Sequence, residues 1–312
     1  MTARVQEIGR DLLFPESPVV LADGTILVSE LAGGRVTRIL RDGTRETVAC
    51  TGGGPNGIAV LPDGRLLVCQ NGGARWGTAA WPLALAGSVE LFLPVGPPEA
   101  PVDPQIQLVE TTGRVSTLTG TFRAVDGRVL PLARPSDICL DDNGGYWVTD
   151  GSPTHGRVRT LSGVLYGSVD GELREVIFPL EMPNGIALSP DGAHLYVTET
   201  RTRRVWCFDI DRPGRIERGR GFATVPSGGP LDFGGADGVC VDDAGRVIVA
   251  TIGAGGITAF SPSGHLLGSV PMDDPMTSNV TFDSVGRRLI VTLASTGRVC
   301  SVDWPDALEA NS

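Results

Sequence analysis

The chain has 312 residues, 43 of them Gly and 23 Pro, with a formal net charge of -10 at pH 7 and a pI near 4.8. That acidity argues against nucleic acid or an anionic membrane as a partner, and a solubilising surface is sufficient to explain it. No apolar run persists long enough to span a bilayer and no 3.6-period apolar stripe is bracketed by helix caps, so an all-β, cytoplasmic protein is expected.

At the start of the chain, MTARVQEIGRDLL has no apolar core of signal-peptide length, and residues 4–8 read as a short strand. A hairpin unit follows, ESPVVLADGTILVSE from Glu16, with GRVTRIL and RETVAC as further strands. The unit recurs as PNGIAVLPDGRLLVCQN from Pro55, PSDICLDDNGGYWVTD from Pro135 and MPNGIALSPDGAHLYVTE from Met182. Two more copies are ADGVCVDDAGRVIVAT from Ala236 and TSNVTFDSVGRRLIVTL from Thr277. Each has a polar entry, a β-rich run, an Asp/Gly-type turn and a second β-rich run. The turn glycines Gly24, Gly64, Gly144, Gly192, Gly245 and Gly286 are 40, 80, 48, 53 and 41 residues apart. A period of roughly 40 to 50 residues is that of four-stranded propeller blades. The expected fold is therefore an all-β, six-bladed β-propeller with a central metal-binding channel, forming one domain over residues 1–306 with a tail at 307–312.

The doubled gap falls in blade 2, where residues 74–104 form an Ala/Gly/Pro-rich insertion carrying Trp76 and Trp81. It lacks a hairpin turn of the repeat type, and IQLVE and RVSTL supply the outer strands after it. Because it leaves from Asn71, at the return end of a second strand, it is expected to emerge at the channel mouth as a lid or interface. Residues 297–303 offer a last strand, which leaves blade 6 one short. The segment at residues 4–8 is expected to complete it.

The six cysteines are scattered singly, and Cys69, Cys139, Cys207 and Cys240 sit in apolar strand patterns, so reduced core thiols are expected rather than disulfides or a zinc site. GGGPNG at Gly52 satisfies G-x-G-x-x-G, but a Pro interrupts it and a strand follows, which excludes a dinucleotide loop. There is no G-x-S-x-G and no H-E-x-x-H. His194 and His265 fall in turns or outer strands; His155, after Asp150, is a second-tier acid/base candidate.

At the start of each innermost strand stands an oxygen carrier: Glu16, Asn56, Ser136 with Asp137, Asn184, Asp237 and Asn279. Asn and Asp also cap turns beside Gly, which accounts for Asp23, Asp63 and Asp191 but not for a polar residue recurring before the strand. In a propeller the innermost strands line one channel, so these positions converge. Carboxylates facing one channel repel unless neutralised, and an oxygen-only ligand set favours one divalent ion, calcium first, with manganese, magnesium or zinc as alternatives. Gln70, Asn71, Asp150 and Glu199, at the return ends of second strands, form a second tier.

PESP at Pro15, RPSD at Arg134, MPNGIALSPDG at Met182, ADG at Ala236 and TSN at Thr277 resemble the signature segments of the senescence marker protein/regucalcin/gluconolactonase family. The resemblance covers the chain outside residues 74–104. It implies a channel metal held by Glu16, Asn184 and Asp237, with Asp237 also the general base. The family's third segment reads Arg-Pro-Asn-Asp, and here Ser136 replaces the Asn, a shorter group that both donates and accepts. The expected activity is gluconolactonase-like, metal-dependent hydrolysis of a small-molecule lactone by a monomer or small homo-oligomer, with Asn56, Ser136, Asp137 and Asn279 contacting substrate. A strictosidine-synthase-like reaction and a non-catalytic calcium-binding propeller are the alternatives.

Overall fold

The computed structural model describes residues 4–81, 89–151, 154–155, 158–226 and 235–304. Every regular element among them is a β-strand, and the strands form six antiparallel blades. The innermost strands are Pro15–Val20, Pro55–Val60, Pro135–Leu140, Pro183–Leu188, Gly235–Val241 and Thr277–Asp283. Each touches the next around the ring, and the sixth touches the first. The tail at residues 307–312 lies outside the described residues.

The second strands, Ile26–Glu30, Leu66–Gln70, Gly145–Asp150, His194–Glu199, Val247–Ile252 and Arg288–Leu293, are the most deeply buried elements. Their near-continuous apolar runs follow from burial on both faces, since successive side chains point to opposite neighbours. In blade 1, Leu27 packs with Val68 and Val109 of blade 2, whereas Ile26 and Val28 pack with Ile290 and Val299 of blade 6. The same division recurs in blade 4: Leu195 and Val197 face Trp147 and Val164, while Tyr196 faces Val247 and Val249. The core is thus six apolar layers between blades, and full burial of each such side chain is worth roughly 1.5–3 kcal/mol.

Five of the six hairpin turns place their glycine at left-handed φ, between 69° and 85°, where a Cβ would be strained. Asp23, Asp63 and Asp191 accept the amides two residues on, at 3.0–3.1 Å, which is the turn-capping role expected of them. The sixth turn differs, because Arg287 rather than Gly286 takes the left-handed φ, at 49°.

Blade 6 is completed by Val5–Gly9, antiparallel to Arg298–Asp303, as the unpaired edge required. Blade 2 resumes after its insertion with Gln105–Val109 and Val115–Thr119. Within the insertion, Arg75–Trp81 and Val89–Gly96 pair as a hairpin. Blade 3 carries an unanticipated addition: the hairpin Thr121–Arg123 with Val129–Pro131 joins the blade's outer strand, Arg174–Leu180, in parallel.

Candidate active site

Each innermost strand breaks register with its partner within its first residues, between Glu16 and Val19, Pro55 and Ile58, Pro135 and Ile138, Pro183 and Ile186, Ala236 and Val239, and Thr277 and Asn279. A bulge re-aims the side chains it carries. Asn56, Ser136, Asp137, Asn184 and Asp237 lie in these bulges, and Glu16 and Asn279 flank them. The six irregularities therefore present one set of polar groups at one end of the ring.

Glycine follows Asn56, Asn184 and Asp237 because adjacent innermost strands approach too closely for a Cβ. At Gly57 a Cβ would lie 2.7 Å from Asp137 Cα, at Gly185 2.5 Å from the Asp237 carbonyl, and at Gly238 2.7 Å from Asn279 Cα. These glycines thus mark contacts between blades rather than turns.

Hydroxyls on the second strands tie the bulges together. Ser29 donates to the Asn56 carbonyl (2.6 Å), Thr149 to that of Asn184, and Thr198 to that of Asp237 (2.6 Å). Thr198 also accepts the Gly185 amide (2.8 Å). At the ring's closure, Ser278 links Thr292 (3.0 Å) to the Pro15 carbonyl (3.4 Å). The function of these hydroxyls escapes a reading of the entry segments alone, although the recurrence of Val-Ser/Thr at residues 28–29, 148–149, 197–198 and 291–292 is visible in the sequence. Thr198→Val, which keeps the shape and deletes the bridge, is expected to cost about 1–2 kcal/mol. Urea unfolding measures it, and an unchanged midpoint would mean that the bridge adds nothing.

Glu16, Asp137 and Asp237 are each buried, at 6–8% exposure, as are Ser136 and Asn279, while Asn56 and Asn184 are half-buried. Burial pushes Glu16 up to about 8, with the charge of Asp137 adding and hydrogen bonds from Ser278 and Asn279 opposing. Burial likewise raises Asp137 to about 6, against hydrogen bonds that include the Asn279 amide. Asp237 is raised well above the carboxylate range by burial and then by Glu16 and Asp137, with Arg134 opposing. The Asn184 amide donates to Asp237 Oδ1 and, at 3.1 Å, to Thr200 Oγ1. Three carboxylates and a carboxamide therefore share one buried space in which the negative charges penalise one another.

The second-tier residues face elsewhere. Asp150 accepts the amides of Ala133 (3.0 Å) and Arg134 (2.7 Å), and Glu199 accepts that of Glu181 (2.8 Å) and the Thr202 hydroxyl (2.7 Å). Gln70 accepts the Gly54 amide (2.6 Å), and Asn71 that of Gly73 (3.0 Å). These groups hold the loops that lead into or out of their own blades. His155 lies in a two-residue strand, and its side chain falls outside the described residues, as does that of Trp81.

All six cysteines are free; Cys69, Cys207, Cys240 and Cys300 are buried, Cys139 is half-buried and Cys50 exposed. Cys207 gathers with His194 and Asp209 on blade 4, but Arg218 (2.8 Å) and Arg220 already neutralise Asp209, which disfavours a cation there. A groove of about 690 Å³ on the opposite, turn-bearing face lies between blades 1 and 6 and contains none of the converging residues.

The insertion hairpin crosses the mouth face away from blade 2. Leu91 and Leu93, with Trp76 and Phe92, pack against Phe14 and Leu31 of blade 1 and Met276 and Ala294 of blade 6. Trp76 lies 4.7 Å from the Phe14 ring and 5.6 Å from that of Phe92. The described part of the insertion is thus anchored against blades 1 and 6, while residues 82–88 lie outside the described residues.

A family model described as SMP-30/Gluconolactonase/LRE-like region matches residues 14–295. Diisopropyl-fluorophosphatase of Loligo vulgaris is 28% identical over 59% of this chain and 63% of its own length. Lactonase drp35 of Staphylococcus epidermidis is 30% identical over 52% and 50%, and gluconolactonase of Zymomonas mobilis 28% over 51% and 47%. The matches thus span about half to three fifths of those relatives' length. Among solved structures, a gluconolactonase from Xanthomonas campestris superposes with a TM-score of 0.74 and 26% identity over 97% of this chain and 90% of its own. A calcium-binding regucalcin from Agrobacterium tumefaciens, 18% identical over 97% and 94%, shares the fold with a TM-score of 0.70.

Proposed function

The chain belongs to the SMP-30/gluconolactonase/LRE-like family, and from that premise we propose that it hydrolyses the ring ester of a small-molecule lactone with one bound divalent cation. The observation that carries this reading is the buried group Glu16, Asp137 and Asp237 beside Asn184. Its donors are all oxygen once the Asn184 amide turns its carbonyl inward, and its mutually penalised charges suit a hard cation, calcium before manganese, magnesium or zinc. Glu16, Asn184 and Asp237 would hold the ion. Bound there, it would polarise the lactone carbonyl and offset the negative charge that develops on it.

The chain's own groups supply the rest. Asp237 takes a proton from the attacking water as the water oxygen bonds to the acyl carbon. The ring C–O bond then breaks, and the proton returns to the departing alkoxide, giving a hydroxy acid. Asn56, Ser136 and Asn279 orient the ring, and Asp137, bridged through Asn279 to Glu16, sets the charge of the group. The Ser136 hydroxyl, 3.3 Å from the Arg134 carbonyl, can turn to a ligand at little cost. Similarity to diisopropyl-fluorophosphatase favours a second reading, hydrolysis at phosphorus, through the same donor set.

Metal-stripped and reconstituted protein, assayed on aliphatic, aromatic and sugar lactones and on a fluorophosphate ester, tests both readings. Lactone opening that is abolished by chelation and restored by metal is expected. Turnover that survives chelation in protein without a bound cation would overturn the mechanism. A bound metal with only the phosphorus ester cleaved would transfer the site to the second reading.

A further inference from the structure

Asn184 holds its carboxamide between two acceptors of different kinds. Its bulge opens the innermost strand of blade 4, where the pairing of Pro183 with Glu199 brings the residue after the second strand, Thr200, alongside it. The Asn184 amide nitrogen donates to Thr200 Oγ1 at 3.1 Å and, across the boundary to blade 5, to Asp237 Oδ1. An amide nitrogen carries two hydrogens, so each has its own acceptor. Thr200 is itself fixed. It is buried, its backbone amide donates to the Met182 carbonyl (3.2 Å), and its methyl fills the space left by the missing side chain of Gly235, where a Cβ would lie 2.7 Å from Thr200 Cγ2. The methyl of Thr200 therefore packs, while its hydroxyl meets Asn184.

The two acceptors respond differently to a cation. An ion drawing on the Asp237 oxygens competes with the N–H that points at one of them, because both seek the same lone pairs and the hydrogen is repelled by positive charge. The Thr200 hydroxyl is neutral and belongs to the same blade as Asn184, so its bond survives. Of the two acceptors it alone then remains for the amide nitrogen. A nitrogen held on that side leaves the carbonyl oxygen of the same group free to face the ion.

We infer that Thr200 is a positioning residue: its hydroxyl holds the Asn184 nitrogen while the amide turns away from Asp237 and presents its oxygen to the cation. The inference rests on the cation of the proposed function. It gives Thr200 no contact with ion or substrate, and it makes the hydrogen bond between Asn184 and Asp237 a feature of the metal-free state.

Two variants split the side chain, and calcium titrated into metal-free protein by calorimetry reads them. Thr200→Val keeps the shape and removes the hydroxyl; its calcium Kd should rise about tenfold or more, the scale on which a buried donor is left without an acceptor. Thr200→Ser keeps the hydroxyl and removes the methyl, so its Kd should stay close to wild type while its melting temperature falls. A packing role would invert that order. In lactone assays the loss in Thr200→Val should be regained at excess calcium, with kcat close to wild type. A spectrum of the wild-type protein is independent of how the variants fold. With isotope-labelled asparagine, and the Asn184 side-chain signal identified by its absence from Asn184→Ser, calcium should move one amide hydrogen upfield as it leaves the carboxylate and leave the other in place. A Thr200→Val Kd equal to wild type, a greater loss of affinity in Thr200→Ser than in Thr200→Val, or an Asn184 signal unmoved by bound calcium would overturn the inference. Calcium binding that follows the expected pattern with no lactone opened would keep the inference and remove the hydrolysis, and wild-type protein that binds neither calcium nor manganese would remove both.

Discussion

Asp237→Asn is expected to lower kcat for lactone opening by about 10²-fold or more, the usual scale for losing a general base. The amide keeps an oxygen for a cation and nearly the same shape, but it cannot take a proton from water. Its fold should hold, because the substitution also removes one member of a buried group whose charges oppose one another. Glu16→Gln is the informative contrast. It lowers the charge of the ligand set without touching the proton-transfer group, so its main effect should be weaker metal affinity that excess metal partly rescues. Steady-state kinetics at saturating metal, with metal affinity measured by calorimetry, distinguishes the two. A fall of less than 10-fold in Asp237→Asn would remove Asp237 from the chemical step.

The second large effect is on stability, and its sign is unusual. In the metal-free protein burial raises Glu16 to about 8 from an ordinary 4.5, and Asp137 and Asp150 to about 6 from 3.8. A carboxyl raised in the folded state binds its proton more tightly there than in the unfolded chain. The stability it contributes is complete below the unfolded value near 4 and is lost as pH rises through 6 and then 8. Metal-free protein should therefore melt at a lower temperature at pH 8 than at pH 5. A divalent cation should reverse the trend, since it binds the ionised form; at a hundredfold excess over Kd it adds about 2.7 kcal/mol. Thermal melts at both pH values, with and without calcium, decide this. A metal-free melting temperature that rises from pH 5 to pH 8, or calcium stabilising no more at pH 8 than at pH 5, would contradict it.

The six blades are legible in the sequence because their turns have strong local chemistry: in five of the six, Asp caps the turn two residues ahead and Gly takes the left-handed backbone. The closing strand is legible from arithmetic, since blade 6 lacks a partner for its edge. The hairpin at Thr121–Pro131 is not, because a parallel bridge to Arg174–Leu180 depends on distant chain rather than on neighbouring residues. Docking of the insertion on blades 1 and 6 is equally invisible; Trp76 and Phe92 announce burial but not against what.

At the site, the converging set is found because its members recur at one place in the repeat. Asp150 and Glu199 show the weakness of that logic. Period places them at the correct end of their strands, yet each carboxylate points back to the amides of its own loop.

The clasp formed by Val5–Gly9 and Arg298–Asp303 sets the order in which the protein can be built. As the chain leaves the ribosome, each blade can stack on its predecessor, so the growing object is an arc with one live edge. The Ser278 bond to Pro15, across 263 residues, waits for the last blade. Joining such distant segments costs only about 2 kcal/mol more than closing a loop of one blade's length, because loop entropy grows with the logarithm of length. Delay rather than expense is the consequence. Until the arc shuts, Glu16 at its start and Asp237 near its finish belong to no common site, so on the proposed reading the nascent chain could neither capture an ion nor begin to turn over substrate.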